Sequence, residues 1–450
     1  MKIVLIGAGS AQFGYGTLGE IFSSDVLNDS EVALLDINPD ALRTVHGTAE
    51  AFVQQHGLPT LVTATTDRTK ALQGADFVII SIEVGDRFEL WDQDRTIPQQ
   101  YGIQQVYGEN GGPGGLFHSL RIIPPILEIC ADVRAICPEA YVFNYSNPMS
   151  RICTTVHRAY PELRFVGLCH EVSSLHRYLP GLLGVPWESL STTAGGLNHY
   201  SCLLRAAYQD GRDAYPDIRS KAPEFFRKLP GASDFLERYR KTGKLVETEG
   251  VTEIDTSVLE SAREWVERGL FTFVLEHFDL LPITTDSHIG EYSAWAYDVV
   301  DHKGILDFYT YYRLCMASVE PEIELTTKER VVPIMEAVAA DRTLNEAAVN
   351  IPNVGFIEGL PADIAGDWPA VIDGKGVRGV SLDCMPASFL GLLQNQVGVH
   401  RMTAEAVLSK SKKAAVQAFL VDPVVTKAAC ATELVELMVQ LQSKHLGYLK

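Results

Sequence analysis

Short runs of apolar residues alternate with amphipathic segments of helical period through the first 170 residues of the chain. Near-continuous apolar runs are typical of parallel strands that are buried on both faces of a sheet. Six such runs are predicted to be strands: Lys2–Ile6, Val32–Leu35, Leu61–Ala64, Phe77–Ile82, Tyr141–Tyr145 and Phe165–Leu168. Strands that alternate with helices in this way predict a doubly wound, Rossmann-like parallel sheet of the α/β class.

Two of the amphipathic stretches, Pro39–Gln55 and Leu116–Ile136, are predicted helices. The pair Pro124-Pro125 lies inside the second stretch. Because proline lacks a backbone N–H and clashes with the preceding helical turn, this pair predicts a break into two helices.

The pattern changes after residue 170, where a mixture of helical and strand-like segments begins. Tyr200–Tyr208 with Gln209-Asp210-Gly211 predicts the first arm of a hairpin and its turn. Most of the remaining chain has a helical pattern, with short strand-like pieces between the helices. We therefore expect two domains, residues 1–195 and an α+β domain over residues 196–450.

Composition and charge narrow the class of protein. The chain has 450 residues, of which 46% are hydrophobic, and 57 acidic against 38 basic residues give a net charge of −19. The electrostatic field of this negative net charge disfavours nucleic acid and anionic membranes as partners and favours small-molecule chemistry. The eight cysteines form no CxxC pair and indicate reduced thiols. With no signal peptide and no long apolar stretch, a soluble cytoplasmic protein is expected.

The first predicted strand ends in the turn Gly7-Ala8-Gly9-Ser10, which opens a helix. Gly7 allows the tight turn, and Gly9 lets the backbone approach a pyrophosphate at the helix N-terminus. Asp36 ends the second strand, where an acid binds the ribose hydroxyls and disfavours a 2′-phosphate, so NAD is favoured over NADP. Glu83, after the fourth strand, is also assigned to the cofactor site. A tight turn without a ligand is the alternative.

Polar residues cluster after other predicted strands, at the edge where open α/β sheets bind their ligands. The clusters are the glycine-dense loop Gly108–Gly115, Asn147-Pro148, Cys169-His170 and, further along, His199. A thiolate and an imidazole form a plausible partial shell for a divalent cation, although a lone cysteine is more often buried packing. The polar run Asp286–Tyr292 indicates either a further part of a site or a solvated loop.

Taken in order, these segments resemble glycoside hydrolase family 4, the NAD- and Mn²⁺-dependent glycosidases. The resemblance covers the GAGS turn, Glu109 with GGPGG, Asn147-Pro148, CHEV at 169–172 and GLNH at 196–199. The Cys-His pair is similar to the α-galactosidase and α-glucosidase branches, whereas the 6-phospho-glycosidase branches carry Asn or Asp at position 170. An unphosphorylated sugar is therefore implied. Glu171-Val172 is similar to a branch with α-glucosidase or α-uronidase activity.

The resemblance implies Cys169 and His199 as ligands of Mn²⁺ or another divalent cation, Asn147 as a sugar contact and Tyr292 as the base. It also implies a set of further substrate contacts or proton donors: Glu109, His170, Asp286 and His288. In the implied mechanism, NAD⁺ oxidises C3 of the sugar, the C2 proton is removed, the C1 substituent is eliminated, water adds and the hydride returns.

Arginines near the predicted site are relevant to whether the substrate sugar is neutral or carries a carboxylate. Arg87, Arg121 or Arg151 could pair with a uronate carboxylate, which leaves an α-galacturonidase or α-glucuronidase as the alternative activity. A structural ion pair is an equally good expectation for each arginine.

Two other classes of function remain open. Asn147-Pro148 after a parallel strand also occurs in lactate and malate dehydrogenases, which have a similar fold, so an NAD-dependent 2-hydroxy-acid dehydrogenase is possible. A catalytically silent NAD-binding sensor or scaffold is the other. The family resemblance further implies that the chain forms a homodimer or homotetramer.

Overall fold

A computed structural model describes most of the chain. The described residues are 1–9, 13–169, 171–228, 231–243, 245, 269–318, 322–323, 325 and 330–450. The predicted site residues Ser10 and His170 lie outside them. Within these ranges, no helix combines the length and the apolar character that crossing a membrane requires.

The described strands join into one twelve-stranded sheet. They are β1 Lys2–Ile6, β2 Glu31–Leu35, β3 Leu61–Thr65, β4 Phe77–Ile80, β5 Tyr141–Asn144, β6 Arg164–Gly167, β7 Leu190–Leu197, β8 Tyr200–Tyr208, β9 Leu281–Pro282, β10 Leu344–Pro352, β11 Ala365–Asp373 and β12 Gly376–Gly379. The first six strands are parallel and follow the order β3-β2-β1-β4-β5-β6. The predicted Rossmann-like parallel sheet is confirmed.

The parallel strands other than β3 are largely buried on both faces, as their continuous apolar runs predict, whereas β3 at the sheet edge is mostly exposed or half-buried. Along β1, Ile3 and Leu5 contribute to one apolar cluster, whereas Val4 and Ile6 contribute to a second one on the other face. Helices cover both faces because neither face of such a sheet can remain in water.

The sheet continues from β6 in antiparallel fashion through β10, β11, β7, β8 and β9, and β12 pairs with β11. Gly167 of β6 pairs with Asn350 of β10, and Gly196 of β7 pairs with Asp367 of β11. The division proposed between residues 195 and 196 lies inside β7. Strands from the two parts of the chain thus meet where the parallel sheet ends.

The described helices lie mainly on the two faces of the parallel sheet and around its antiparallel extension. The α-helices are Phe13–Ser23, Pro39–His56, Arg68–Leu72, Arg87–Gln100, Gly112–Ile136, Met149–Ala159, Leu175–Leu183, Tyr215–Arg227, Ala232–Thr242, Gly269–Phe278, Asp286–Ile289, His302–Ala317, Val331–Ala339, Ala387–Ser409, Lys412–Leu420, Ala431–Leu441 and Ser443–Leu446. Short 3-10 helices cover Val172–Ser174, Trp187–Ser189, Gly290–Tyr292 and Ala294–Asp298.

The predicted helix break at Pro124-Pro125 is wrong, because Gly112–Ile136 is one helix that contains both prolines. Pro124 cannot donate to the carbonyl of Leu120 four residues earlier. Tyr448 supplies the missing donor, since its hydroxyl donates to the Leu120 carbonyl oxygen at 2.9 Å. A distant residue thus satisfies the acceptor that the proline leaves without a helical partner.

The segment predicted to be the first arm of a hairpin pairs with the strand before it in the chain and not with the segment after it. Tyr200–Tyr208 is the second arm, since it pairs with β7 through the two-residue turn Asn198-His199. After Gly211 the chain forms only a single bridge, between Ala207 and Asp213, before the next helix begins at Tyr215.

Candidate active site

The described part of the GAGS turn, Gly7–Gly9, has the geometry that a close backbone approach requires. Gly7 has φ +86°, and a Cβ added there would lie 2.1 Å from the carbonyl oxygen of Ser81. No other residue type fits this position. The backbone N–H of Gly9 donates to Asp36 Oδ2 at 2.8 Å, so the acid lies directly beside the turn.

Glu83 follows β4 and faces His118, whose Nε2 lies 3.3 Å from Glu83 Oε1. Burial raises the pKa of Glu83, but the charge and hydrogen bond of His118 outweigh it, so the pKa is lowered overall. Burial conversely lowers the pKa of His118, and Glu83 outweighs it, so that pKa is raised. The two groups therefore favour an ion pair at this edge of the sheet.

The two predicted metal ligands are brought together. Cys169 lies after β6, and its Sγ is 3.6 Å from Nε2 of His199, 30 residues further along. His199 occupies the turn between β7 and β8 with φ +60°, a conformation that is uncommon outside glycine. Cys169, Glu171 and His199 offer ligand atoms that all lie within 4.8 Å of one another.

Glu171 holds the His199 turn in place. Its Oε2 accepts from the backbone N–H of His199 at 2.6 Å and from Asn198 Nδ2 at 3.3 Å, and its Oε1 accepts from Ser201 Oγ at 2.5 Å. Asn198 Nδ2 also donates to Asp367 Oδ2 at 3.2 Å. Burial, followed by the neighbouring charge of Asp367, raises the pKa of Glu171.

This arrangement fits a divalent cation. The ligand atoms of an ion with bonds near 2.1–2.3 Å lie about 3–4 Å apart, which matches the Cys169–His199 distance of 3.6 Å. Burial raises the pKa of the Cys169 thiol, and a bound dication would supply the charge that a buried thiolate needs. The oxygens of Glu171 already accept three hydrogen bonds, so the role of Glu171 is to orient His199. Cys169 and His199 are therefore the better pair of metal ligands.

Tyr292 lies against this cluster and is 4% exposed. Its hydroxyl donates to the carbonyl oxygen of Asn198 at 3.1 Å, one residue before His199. The ring stacks on Tyr200 with centroids 4.6 Å apart. Burial, and then Glu291, raise the pKa of Tyr292 well above its usual value, whereas the charge of Arg151 opposes them.

His288 joins the same group through its ring, which stacks on His199 with centroids 4.6 Å apart. Burial lowers the pKa of His288, which favours a neutral ring. Asp286, two residues earlier, is engaged elsewhere. Its carboxylate accepts from the backbone N–H groups of Leu270 and Phe271 at 2.7 and 3.1 Å, so it caps the helix Gly269–Phe278.

The glycine-dense loop is held by a carboxylate that our sequence analysis did not single out. Glu291 accepts the backbone N–H groups of Gly108 and Glu109 on Oε1, at 2.6 and 2.8 Å. It accepts those of Asn110 and Gly111 on Oε2, at 2.7 and 2.9 Å. The loop is therefore ordered by the protein itself.

Glu109 belongs to this loop and interacts electrostatically with Arg87. Tyr309 donates to Glu109 Oε2 at 3.1 Å, burial raises the pKa of Glu109, and the charges of His118 and Arg87 oppose that rise. Arg87 Nη2 donates to the Tyr312 hydroxyl at 2.8 Å, and its guanidinium lies over the Trp91 ring.

Asn147 lies three residues after β5, and its buried Oδ1 has no hydrogen-bond partner among the described residues. Of the other arginines considered for a carboxylate, Arg121 is committed to a buried ion pair with Asp94 at 2.6 Å. Arg151 is also buried and lies 3.7 Å from Asp422.

Sequence reasoning missed Glu171, Glu291 and Asp367 as functional candidates. Glu171 and Glu291 lie inside segments that were singled out, CHEV and Asp286–Tyr292. Their acidic side chains next to predicted site residues were a signal that could have identified both. Asp367 had no local signal, because only strand pairing brings it to Asn198 and Asn350.

The chain is similar to known proteins along its whole length. The model of the family 4 glycosyl hydrolases matches residues 2–185, and that of the family 4 glycosyl hydrolase C-terminal domain matches residues 194–425. An alpha-glucosidase from Erwinia rhapontici is 60% identical over 451 residues, covering 100% of this chain and 99% of the relative. An alpha-galactosidase from Bacillus subtilis is 28% identical over 451 residues, with the same coverage.

The fold is shared with a solved 6-phospho-alpha-glucosidase from gut microorganisms, crystallised in complex with NAD and Mn²⁺. It superposes with a TM-score of 0.76 at 21% identity, covering 100% of this chain and 99% of that one. The two family models together span most of the chain. The family predicted from the motifs is confirmed, and the chain belongs to the family 4 glycosyl hydrolases.

Proposed function

We propose that the chain hydrolyses α-glycosidic bonds of unphosphorylated sugars, with α-glucosides as its principal substrates. The observation that carries the proposal is the Cys169–His199 pair, 3.6 Å apart, with the Tyr292 hydroxyl on the adjoining Asn198 carbonyl. The 60% identical relative named alpha-glucosidase supports the choice of sugar.

The residues around the first strand would hold NAD⁺: Gly7, Gly9, Asp36 and Glu83, together with Ser10. Cys169 and His199 would hold Mn²⁺ or another divalent cation. When bound, the nucleotide would accept a hydride from C3 of the sugar and the cation would polarise the oxygens at C2 and C3. The chain's own part is to orient the sugar and move protons.

Tyr292 is the proposed base: once its hydroxyl has lost its own proton, the phenolate oxygen would take the C2 proton. The buried position excludes water from that oxygen, and Arg151 supplies a nearby positive charge. His288 stacks on His199 and would donate to, or accept from, a sugar hydroxyl as a neutral ring. Asn147 would use its unpartnered buried Oδ1 to accept a hydrogen bond from the sugar.

The resemblance offers Glu109, His170, Asp286 and His288 as substrate contacts or proton donors and does not assign the protonation of the departing group to one of them. Asp286, also predicted to be catalytic, caps a helix with both carboxylate oxygens. We propose that Asp286 holds the polar segment in place and does not transfer a proton.

The charges around Arg87 favour a neutral sugar over a uronide. Burial raises the pKa of Glu109, the charges of His118 and Arg87 oppose that rise, and the charge of Glu83 adds to it. A uronate carboxylate would therefore enter a region that already contains two acids, Glu109 and Glu83, beside Arg87. Relatives named alpha-galacturonidase, at 26% identity, make the uronide the second candidate.

Residues 1–195 are proposed to bind the dinucleotide, and residues 196–450 to complete the sugar site and form subunit contacts. Assembly into a homodimer or homotetramer stays a prediction, which light scattering would test.

The test is hydrolysis in D₂O with Mn²⁺, NAD⁺ and a reductant, using aryl α-glucoside, α-galactoside, α-glucuronide and α-galacturonide. We expect the α-glucoside to be cleaved fastest and the released sugar to carry deuterium at C2. Release of sugar without C2 deuterium would exclude the elimination mechanism. A faster rate on either uronide would replace the neutral sugar with the second candidate.

A further inference from the structure

Glu291 occupies an unusual position for a carboxylate, since it is 1% exposed and directly precedes Tyr292 in the 3-10 helix Gly290–Tyr292. A carboxylate removed from water is costly unless hydrogen bonds replace its hydration. The four consecutive N–H groups of the glycine loop do so, with two donating to each oxygen.

Successive backbone N–H groups that converge on one point form a natural anion cradle. In this loop the cradle is filled by the protein's own carboxylate. The N–H groups of residues 108–111 are thereby committed, and the loop acts as a fixed support for the segment that contains Glu291.

The loop and Glu291 are packed tightly against each other. A Cβ added at Gly111 would lie 2.6 Å from the carbonyl oxygen of Glu291 and 2.8 Å from its Cβ. The loop backbone and the Glu291 backbone are therefore in direct contact, and a shift of one must move the other.

Tyr292 is fixed from three further directions. Its hydroxyl donates to Asn198, its ring stacks on Tyr200, and its carbonyl oxygen accepts from Gln396 Nε2 at 3.0 Å. The Glu291 carboxylate adds the only contact in this set that ties Tyr292 to the loop carrying Glu109.

We propose that Glu291 is a positioning residue, which by filling the N–H cradle of residues 108–111 sets the distance between the Tyr292 phenol and the sugar contact Glu109. The inference rests on the proposed function, in which Tyr292 takes the C2 proton. All four hydrogen bonds to the Glu291 carboxylate come from the protein itself, so Glu291 acts through Tyr292 and not on the sugar.

The first test is Glu291→Gln in the full chain. Glutamine keeps the shape but turns one acceptor into a donor, so its NH₂ group faces two N–H donors of the loop. We expect kcat to fall about 100-fold, the effect of misplacing a reacting group by about 1 Å. NAD⁺ affinity, measured by fluorescence titration, should stay within about twofold because Gly7 and Asp36 do not contact this segment.

A double-mutant cycle separates positioning from a general structural defect. If Glu291 acts through Tyr292, Glu291→Gln should cost less than about threefold in kcat when it is added to Tyr292→Phe. Multiplication of the two single losses would overturn the proposal.

Glu346→Gln is the matched control. Glu346 is 6% exposed and pairs with Arg330 at 2.8 Å, away from the proposed site. We expect this variant to lower the melting temperature and leave kcat unchanged. If the two glutamine variants lost kcat equally, the loss would follow from general destabilisation and the proposal would fail.

Should Glu291→Gln not fold, Gly111→Ala tests the same contact from the loop side. It should also lower kcat about tenfold or more, and wild-type kcat in this variant would overturn the proposal. Deuterium at C2 in the product of the unchanged enzyme keeps the two claims distinguishable. Its absence rejects Tyr292 as the base, whereas its presence together with a fully active Glu291→Gln rejects only the positioning role.

Discussion

The backbone N–H of His199 donates to Glu171 Oε2 at 2.6 Å, so one buried acid fixes the turn from which the imidazole reaches the thiol of Cys169. The bond restrains a histidine whose φ of +60° is a backbone conformation that residues other than glycine rarely adopt. The orientation of the proposed metal ligand thus depends on a residue that need not touch the metal.

Glu171→Gln should therefore weaken Mn²⁺ binding about 10- to 100-fold, the usual effect of losing a group that orients a ligand. An amide at this position keeps one acceptor oxygen where the carboxylate has two, so its NH₂ group faces either the His199 N–H or the Ser201 hydroxyl. Titration of Mn²⁺ followed by electron paramagnetic resonance would measure the change. Cys169→Ser should weaken binding at least as much, whereas the control Cys384→Ser should not. Unchanged affinity in Glu171→Gln would contradict the orienting role.

Asp286→Asn should cost stability but little activity. The carboxylate caps the helix Gly269–Phe278, and loss of a cap costs about 1 kcal/mol. We expect the kcat of the folded variant to stay within about threefold of the wild type, whereas Tyr292→Phe should lower kcat about 100-fold or more. Urea unfolding and steady-state kinetics on the same preparations would separate the two effects. An Asp286→Asn variant as inactive as Tyr292→Phe, at unchanged stability, would make Asp286 a proton-transfer group.

Tyr448→Phe should destabilise the protein by about 1 kcal/mol, because the Leu120 carbonyl would lose its donor inside the helix Gly112–Ile136. Tyr101→Phe is the matched control, since that hydroxyl donates to Glu433 at the surface. Pro124→Ala restores a helical N–H opposite Leu120. In that background the loss caused by Tyr448→Phe should become smaller, and an equal loss in both backgrounds would contradict the explanation.

Acid should destabilise the fold through His400. Burial, followed by the charge of Arg151, lowers the pKa of His400 from 6.5 to about 3. Below pH 6.5 the unfolded chain therefore binds a proton at this residue that the folded chain does not, so stability falls as the pH drops from 6.5 towards 3. At about 1.4 kcal/mol per pKa unit the loss is on the order of a few kcal/mol.

His400→Leu removes this group, so its unfolding free energy should fall less steeply than that of the wild type between pH 6.5 and 4.5. Urea unfolding across that range, with pH 7.5 as the reference, would measure the difference. Parallel curves for the two proteins would show that His400 does not contribute to acid sensitivity.

The parallel half of the fold was predictable because its strands are buried on both faces, which leaves continuous apolar runs such as Phe77–Ile80. The antiparallel half was less so. The turn Asn198-His199 contains no glycine, and the strong turn signal at Gly211 leads only to one bridge. The helix through Pro124 depends on Tyr448, more than 300 residues later, which no local pattern can reveal.

The proposed site shows the same division. Gly7, Asp36, Cys169 and His199 were identifiable because strand ends and residue type indicate their chemistry. The contacts of the supporting acids were not identifiable, since Asp367 reaches Asn198 from a strand almost 170 residues away and Glu291 reaches the loop at Gly108 from a similar separation.

The pairing of Gly167 with Asn350 has a consequence for biosynthesis. As the chain leaves the ribosome, β6 is complete long before its neighbour β10 exists, and its outer edge stays open during the synthesis of more than 170 further residues. An open apolar edge invites pairing with other nascent chains. Truncated products that end before Leu344 should therefore be prone to aggregation, and chaperone demand during expression should peak before that strand is made.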